Sequence, residues 1–198
     1  MRDRIESSLR KQMLSAAIAV TLCLISQCRS AADTADPSAL LLAGYNQLRH
    51  GAHEQAVETF SAVVQSNPAS IEARKYLAYA LLNAGLAEQA VTQYEYLQKI
   101  SSLSAVDLTS LGNAYFYCSN YKKAISTYRQ ALSQNRHSDD ARVGLVHTYV
   151  AAGDTAGASL VCEQALQQSI TAASHSRYED LLRDIRGDPN VQHQALDE

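Results

Sequence analysis

The sequence predicts an all-α fold in which helix pairs stack into a solenoid, and three observations carry that expectation. Residue types recur every 34 positions, in the columns Ala56, Ala90, Ala124, Ala158 and Phe60, Tyr94, Tyr128, Cys162 and Gly51, Gly85, Ser119, Gly153. Inside the recurring unit the apolar spacing is helical: Leu108, Leu111, Gly112 and Tyr115 fall at i, i+3, i+4 and i+7, one buried stripe. The composition agrees, with 46% apolar residues, three Pro and eight Gly, too little punctuation for the many tight turns of an all-β sandwich.

The first element is read as an export signal. Arg2, Arg4, Arg10 and Lys11 precede an apolar run from Met13 to Ile25, broken only by Ser15 and Thr21, and Ser30-Ala31-Ala32 supplies small residues before Asp33. The expectation is cleavage after Ala32 and a periplasmic location. The run holds 13 residues, whereas a bilayer-spanning helix needs about 20, so membrane attachment would come only from an uncleaved signal or a lipid anchor. Cys28 is the residue a lipid anchor would use, although Gln27 is bulkier than the residue that usually precedes an acylated Cys. Cys23 and Cys28 leave with the signal, and of the remaining pair, Cys118 and Cys162, two buried thiols are expected rather than a bridge.

After a short linker at 33–36, repeats are expected at 37–70, 71–104, 105–138 and 139–172. Each begins at a residue whose short side-chain oxygen can cap a helix, in the column Asp36, Ser70, Ser104, Ser138. Pro37 suits the first helical position, Asp107 completes a capping box with Ser104, and Asp139 and Asp140 place negative charge on a first turn. A second stripe follows each turn, as with Ala124, Tyr128, Ala131 and Leu132, where the small Ala lets the two helices approach closely. Gly157, inside the last such helix, is expected to weaken it by about 1 kcal/mol relative to Ala. At 173–187 a capping helix is expected, with Tyr178, Leu181, Leu182 and Ile185 on one face, closed by Gly187-Asp188-Pro189; residues 188–198 are expected to be a disordered tail.

Leu111-Gly112 with Tyr115, then Asn120-Tyr121-Lys122-Lys123-Ala124-Ile125 and Tyr128-Arg129-Gln130-Ala131-Leu132, resembles a tetratricopeptide repeat. Looser, in-phase matches cover the other three units; no Trp is present, and Ser102, Arg136 and Ile170 stand where a Pro often ends the unit. The resemblance implies a right-handed α-solenoid whose first helices line a concave groove. It implies groove positions at Tyr45, Leu48 and Arg49; Lys75, Tyr76, Tyr79, Leu82 and Asn83; Thr109, Ser110, Asn113, Phe116 and Tyr117; and His147 and Val150. Tyr and Phe offer large contact area at small entropic cost, which suits capture of a peptide or helix. Tyr94, Tyr115, Tyr121, Tyr128 and Tyr149 fall in columns expected to pack. The clamp that one subgroup uses for terminal carboxylates is not reproduced, since Lys75 and Asn113 stand in the wrong repeats for it.

The charge pattern excludes a nucleic-acid partner. Residues 1–32 carry five Lys/Arg against two acids, leaving the remainder at −6 with no basic stripe to neutralise phosphates. No phosphate loop, nucleophile elbow or HExxH run appears, so no enzyme activity, cofactor or metal is expected; His50 and His53 read as residues of a solvated turn. The functional expectation is a non-catalytic scaffold of the cell envelope, binding a segment of a partner as an accessory of a secretion, pilus, polysaccharide-export or cell-wall assembly. The alternatives are a self-associating structural protein and a lipid-anchored outer-membrane lipoprotein.

Overall fold

The computed structural model describes residues 36–168 and 171–187; the expected signal, Cys28 and the tail at 188–198 lie outside them. The described residues form only α-helices: α1 (Pro37–Arg49), α2 (His53–Ser66), α3 (Ile71–Asn83), α4 (Ala87–Ile100), α5 (Ala105–Tyr117), α6 (Tyr121–Gln134), α7 (Asp139–Ala151), α8 (Thr155–Gln168) and α9 (Ala172–Arg186). Each helix packs on the next, and the first helices of successive pairs also touch, which makes the array a solenoid. No described helix is long and apolar enough to cross a membrane.

The helix starts are chemical. Asp36 accepts from the Ser38 amide, Ser70 from Ala73 and Ser138 from Ala141, while Ser104 and Asp107 form a reciprocal capping box. α1, α3, α5 and α7 therefore start 34 residues apart, each one residue after its cap. The turn between paired helices is set by one left-handed residue: Gly51, Gly85 and Gly153 at φ 74° to 79°, with Ser119 at 57°. Gly187, at φ 65°, ends α9 at the next step of that column. The expected capping helix thus stops where the first helix of a further unit would stop, and it starts at Ala172, with Thr171 accepting from the Ser174 amide.

The core follows the same columns. Ala56, Ala90, Ala124 and Ala158 are fully buried, and so are Phe60, Tyr94, Tyr128 and Cys162 beside them. A Cβ on Gly112 or Gly144 would lie 2.6 Å from the Tyr128 ring, so that ring is wedged between α5 and α7 where only Gly fits. Gly157 differs from the expectation of a simple weak point: a Cβ there would lie 2.9 Å from the Tyr149 ring and 2.7 Å from the Asp154 carboxylate, which already accepts the Gly157 amide. Cys118 and Cys162 are both free thiols, but only Cys162 is buried.

Polar staples tie each unit to its neighbour. The Tyr115 hydroxyl and the Lys123 ammonium both donate to Glu95, at 2.7 and 2.9 Å. α9 is fastened to the first turn of α7, where Asp139 accepts from the Tyr178 hydroxyl at 2.8 Å and from Ser174 at 2.7 Å. Tyr178 itself is fully buried, with Arg142 over its ring face. Burial pushes its phenol up to about 12.

Candidate partner-binding surface

Two adjoining cavities lie along the first helices. The larger, of about 730 Å³, is lined by Tyr45, Leu48 and Arg49 of α1, by Ile71, Glu72, Lys75, Tyr76 and Tyr79 of α3, and by Val106, Asp107 and Ser110 of α5, with Tyr94 behind them. The second, of about 600 Å³, shares Tyr79 and Ser110 and adds Leu82, Asn83, Asn113 and Tyr117. Helix geometry explains the set: Lys75, Tyr76, Tyr79 and Asn83 recur at three- and four-residue steps, so one face of α3 carries them all.

The first cavity is aromatic and partly pre-assembled. Tyr76 stacks on the buried Phe60 with centroids 5.4 Å apart, and Tyr45 meets Tyr76 edge-on at 6.1 Å. Tyr45 and Tyr79 remain 45% exposed, Tyr117 68% and Val106 73%, which is unusual exposure for large apolar surface gathered along one face.

Hydroxyl partners separate two classes of tyrosine. Most of those that pack have engaged hydroxyls: Tyr115 with Glu95, Tyr128 with Asn113, Tyr149 with Arg129, and Tyr178 with Asp139. The hydroxyls of Tyr45, Tyr76, Tyr79 and Tyr117 have no hydrogen-bond partner among the described residues; nor do those of Tyr96 on α4 and Tyr121 on α6, which line neither cavity. Sequence columns place Tyr94, Tyr115, Tyr128 and Tyr149 in the packed class, and the structure agrees; Tyr121 is half-buried, with its ring tilted against Phe116.

Lys75 is committed. Its ammonium lies 2.6 Å from Asp107, whose carboxylate also accepts from the Ser104 amide and hydroxyl. Burial alone would raise the Asp107 pKa, but Lys75 and Ser104 outweigh it and hold the carboxyl below its ordinary value. Arg49 and Glu72 have no ion-pair partner among the described residues.

The remaining sequence-derived positions fall elsewhere. Phe116 lines neither cavity; its ring packs against Tyr117 and Tyr121. Thr109 is buried and donates to the Ala105 carbonyl. His147 and Val150 line a separate hollow of about 380 Å³ with Leu181, Asp184 and Ile185 of α9. The sequence reading missed Ile71, Glu72, Val106 and Asp107. Glu72 and Val106 stand one helical turn before Lys75 and Ser110, so following that face back to the helix start would have found both.

Two profiles of the tetratricopeptide repeat match residues 41–105 and 119–190. The chain belongs to the tetratricopeptide-repeat family. Among the solved structures it resembles are tetratricopeptide-repeat proteins. A thermophilic tetratricopeptide-repeat protein of Thermus thermophilus is 20% identical with a TM-score of 0.62, the match covering 84% of this chain and 96% of that one. The protein MamA is 18% identical with a TM-score of 0.65, over 81% of this chain and 86% of that one. A tetratricopeptide-repeat protein of Parabacteroides merdae is 17% identical with a TM-score of 0.63; the match covers 77% of this chain but only 60% of that one. At these identities the likeness shows the fold alone. No curated protein matches the sequence.

Tetratricopeptide arrays are protein–protein interaction scaffolds, and the family is generally non-catalytic. Among the described residues no group of three His, Cys, Asp or Glu is placed to hold a metal ion.

Proposed function

We propose that this tetratricopeptide-repeat protein captures a segment of a partner protein in the groove formed by the two adjoining cavities, and that it does so as an exported scaffold of the cell envelope. The observation that carries the binding reading is the grouping of tyrosines: Tyr45, Tyr76, Tyr79 and Tyr117, whose hydroxyls have no partner among the described residues, line the two adjoining cavities, whereas Tyr115, Tyr128, Tyr149 and Tyr178 pack with theirs engaged. A ring left half-exposed on a rigid helix contributes contact area with little entropy to lose, and its hydroxyl adds direction. The envelope assignment rests on the sequence, from the basic start, the apolar run Met13 to Ile25 and the small residues before Asp33. An accessory role in a secretion, pilus, polysaccharide-export or cell-wall assembly fits a scaffold at that address.

The test is crosslinking of the full-length protein in envelope fractions of its host, beside a Tyr79→Ala/Tyr117→Ala variant, with mass spectrometry of the captured partners and of the N-terminus of the bait. Both side chains are exposed enough that their loss should leave melting unchanged within about 1 kcal/mol. Partners lost only in the variant, on a bait that starts at Asp33, are the expected result. Partners retained by a folded variant would refute the groove, and a bait that keeps residues 1–32 would refute signal cleavage.

A further inference from the structure

A second surface lies apart from the groove. Between the second helices α6 and α8, over α7, a hollow of about 450 Å³ shares no residue with the two groove cavities. Arg129, Arg136 and Arg142 line it, against one acid, Asp154. Arg142 is paired with Asp139 at 3.3 Å, and Asp154 caps α8 by accepting the Gly157 amide at 2.8 Å. Arg129 and Arg136 are exposed, and neither has an ion-pair partner among the described residues. These two cations outnumber Asp154, so the hollow stays positive on a chain whose residues 33–198 carry −6.

The neighbouring units give this charge its meaning. Arg129 stands 34 residues after Glu95 and 34 before Glu163, in one column of the second helices. Both acids meet a cation from a later helix: Lys123 lies 2.9 Å from Glu95, and Arg186 lies 2.8 Å from Glu163. Glu95 also accepts the Tyr115 hydroxyl at 2.7 Å, which completes the staple between those units. One unit on, Arg129 replaces Glu95, Tyr149 replaces Tyr115 and Gly157 replaces Lys123. The Arg129 guanidinium donates to the Tyr149 hydroxyl, whose own hydrogen has no acceptor among the described residues. The acid of the staple has become a cation and its lysine a glycine, and the cleft is larger than its equivalent one unit earlier, which encloses about 330 Å³ and is lined by no charged residue.

A carboxylate entering this cleft would meet a guanidinium and a phenol hydroxyl together, as the Glu95 carboxylate meets an ammonium and a phenol hydroxyl. Leu132, Leu145, Leu160 and Val161 supply an apolar wall, and Leu160 is 55% exposed. Free cations beside exposed apolar surface fit an acidic side chain with an apolar neighbour, a combination that a protein segment offers and an inorganic anion does not.

We infer that the cleft between α6 and α8 is a docking site for an acidic segment of a partner protein, with a carboxylate on Arg129 and Tyr149 and an adjoining apolar side chain against Leu160.

The experiment selects binders to the full-length protein from a phage-displayed library of random peptides about a dozen residues long. Each is then measured as a labelled synthetic peptide on the parent, on Arg129→Glu, on Arg136→Ala and on the groove variant Tyr79→Ala/Tyr117→Ala. Arg129→Glu brings in the residue type that Glu95 and Glu163 already hold in this column, and Arg136 is exposed outside the helices, so both variants should melt like the parent. One class of binders should weaken about tenfold or more in Arg129→Glu and about threefold in Arg136→Ala, yet change less than about twofold in the groove variant. These peptides should share an Asp or Glu beside an apolar residue and weaken about threefold or more between about 50 and about 500 mM NaCl. Replacing that acid by its amide should remove the salt response and the dependence on Arg129. A selection without binders sensitive to Arg129, or with Arg129-dependent binders that lack an acid, would overturn this inference and leave the groove reading standing, since only the Tyr79→Ala/Tyr117→Ala arm bears on the groove. Displacement by free glutamate at the peptide's own concentration would assign the cleft to a small carboxylate and would overturn the partner segment as well.

Discussion

Gly112→Ala sets two physical effects against each other, and the structure decides which one wins. Gly112 lies inside α5, where replacing Gly by Ala gains about 1 kcal/mol of helix propensity when nothing else changes. Here the new methyl would sit 2.6, 2.8 and 2.9 Å from Cε1, Cδ1 and Cζ of Tyr128, against an ordinary carbon contact of about 3.5–4.0 Å. The ring would have to retreat by nearly 1 Å, toward the backbone of Gly144, the only residue type that fits on its other side. Its hydroxyl is also tied to Asn113. Overpacking of this kind costs about 1–3 kcal/mol, so against the propensity gain the expected net change is a loss of up to about 2 kcal/mol. For a domain of this size that lowers the melting temperature by up to about 8 °C, readable by circular dichroism and checked by urea unfolding. Combining Gly112→Ala with Tyr128→Leu should recover part of the steric loss. A single variant that melts higher than the parent would refute the wedge and the repeat register with it.

The remaining predictions concern the turns, the staples, the thiols and the end of the array. Ser119→Gly should stabilise the fold by about 1 kcal/mol, because Ser119 alone among the residues of its column holds a left-handed conformation with a side chain; unchanged unfolding in urea would show the strain to be absent. Asp107 and Asp139 both have lowered pKa values in the fold, where hydrogen bonds and nearby cations outweigh burial. The stability they add is present above the ordinary carboxylate pKa of about 3.9 and is lost as pH falls through their lower folded values. Melting temperature should therefore drop below about pH 4, and less steeply in Lys75→Met, which removes one of the partners that lower Asp107. Burial pushes the Cys162 thiol up to about 11, so at neutral pH iodoacetamide should label the half-exposed Cys118 first and Cys162 only on unfolding. Tyr178→Ala should cost about 3–5 kcal/mol, concentrated in α7 and α9 by hydrogen exchange, because it empties a fully buried site and releases Asp139; an even loss of protection along the whole array would contradict this.

The architecture was legible because it is written locally and repeatedly. A cap such as Ser104 with Asp107 acts within four residues, a left-handed Gly acts at one, and a buried alanine every 34 residues follows from the helix crossing of its own unit, so the sequence carries these features without reference to distant partners. That is enough to determine an all-α repeat solenoid and to assign Tyr94, Tyr115, Tyr128 and Tyr149 to its packing. The candidate groove was only half legible. Its aromatic positions follow from helix periodicity, but whether Lys75 faces a partner or an acid of the next unit depends on where Asp107 arrives in space, and no spacing rule states that. The same holds for Phe116, which turns to its neighbours Tyr117 and Tyr121, and for Gly157, where a close Tyr149 ring replaces a simple propensity cost. Sequence alone determined the period, the helices and the residue types on each face, because hydrogen bonding and burial within one unit fix them. Tertiary structure alone decided which charges are spent on each other and which hydroxyls stay free, because those outcomes depend on contacts between units, where a few ångströms separate a partner from a neighbour.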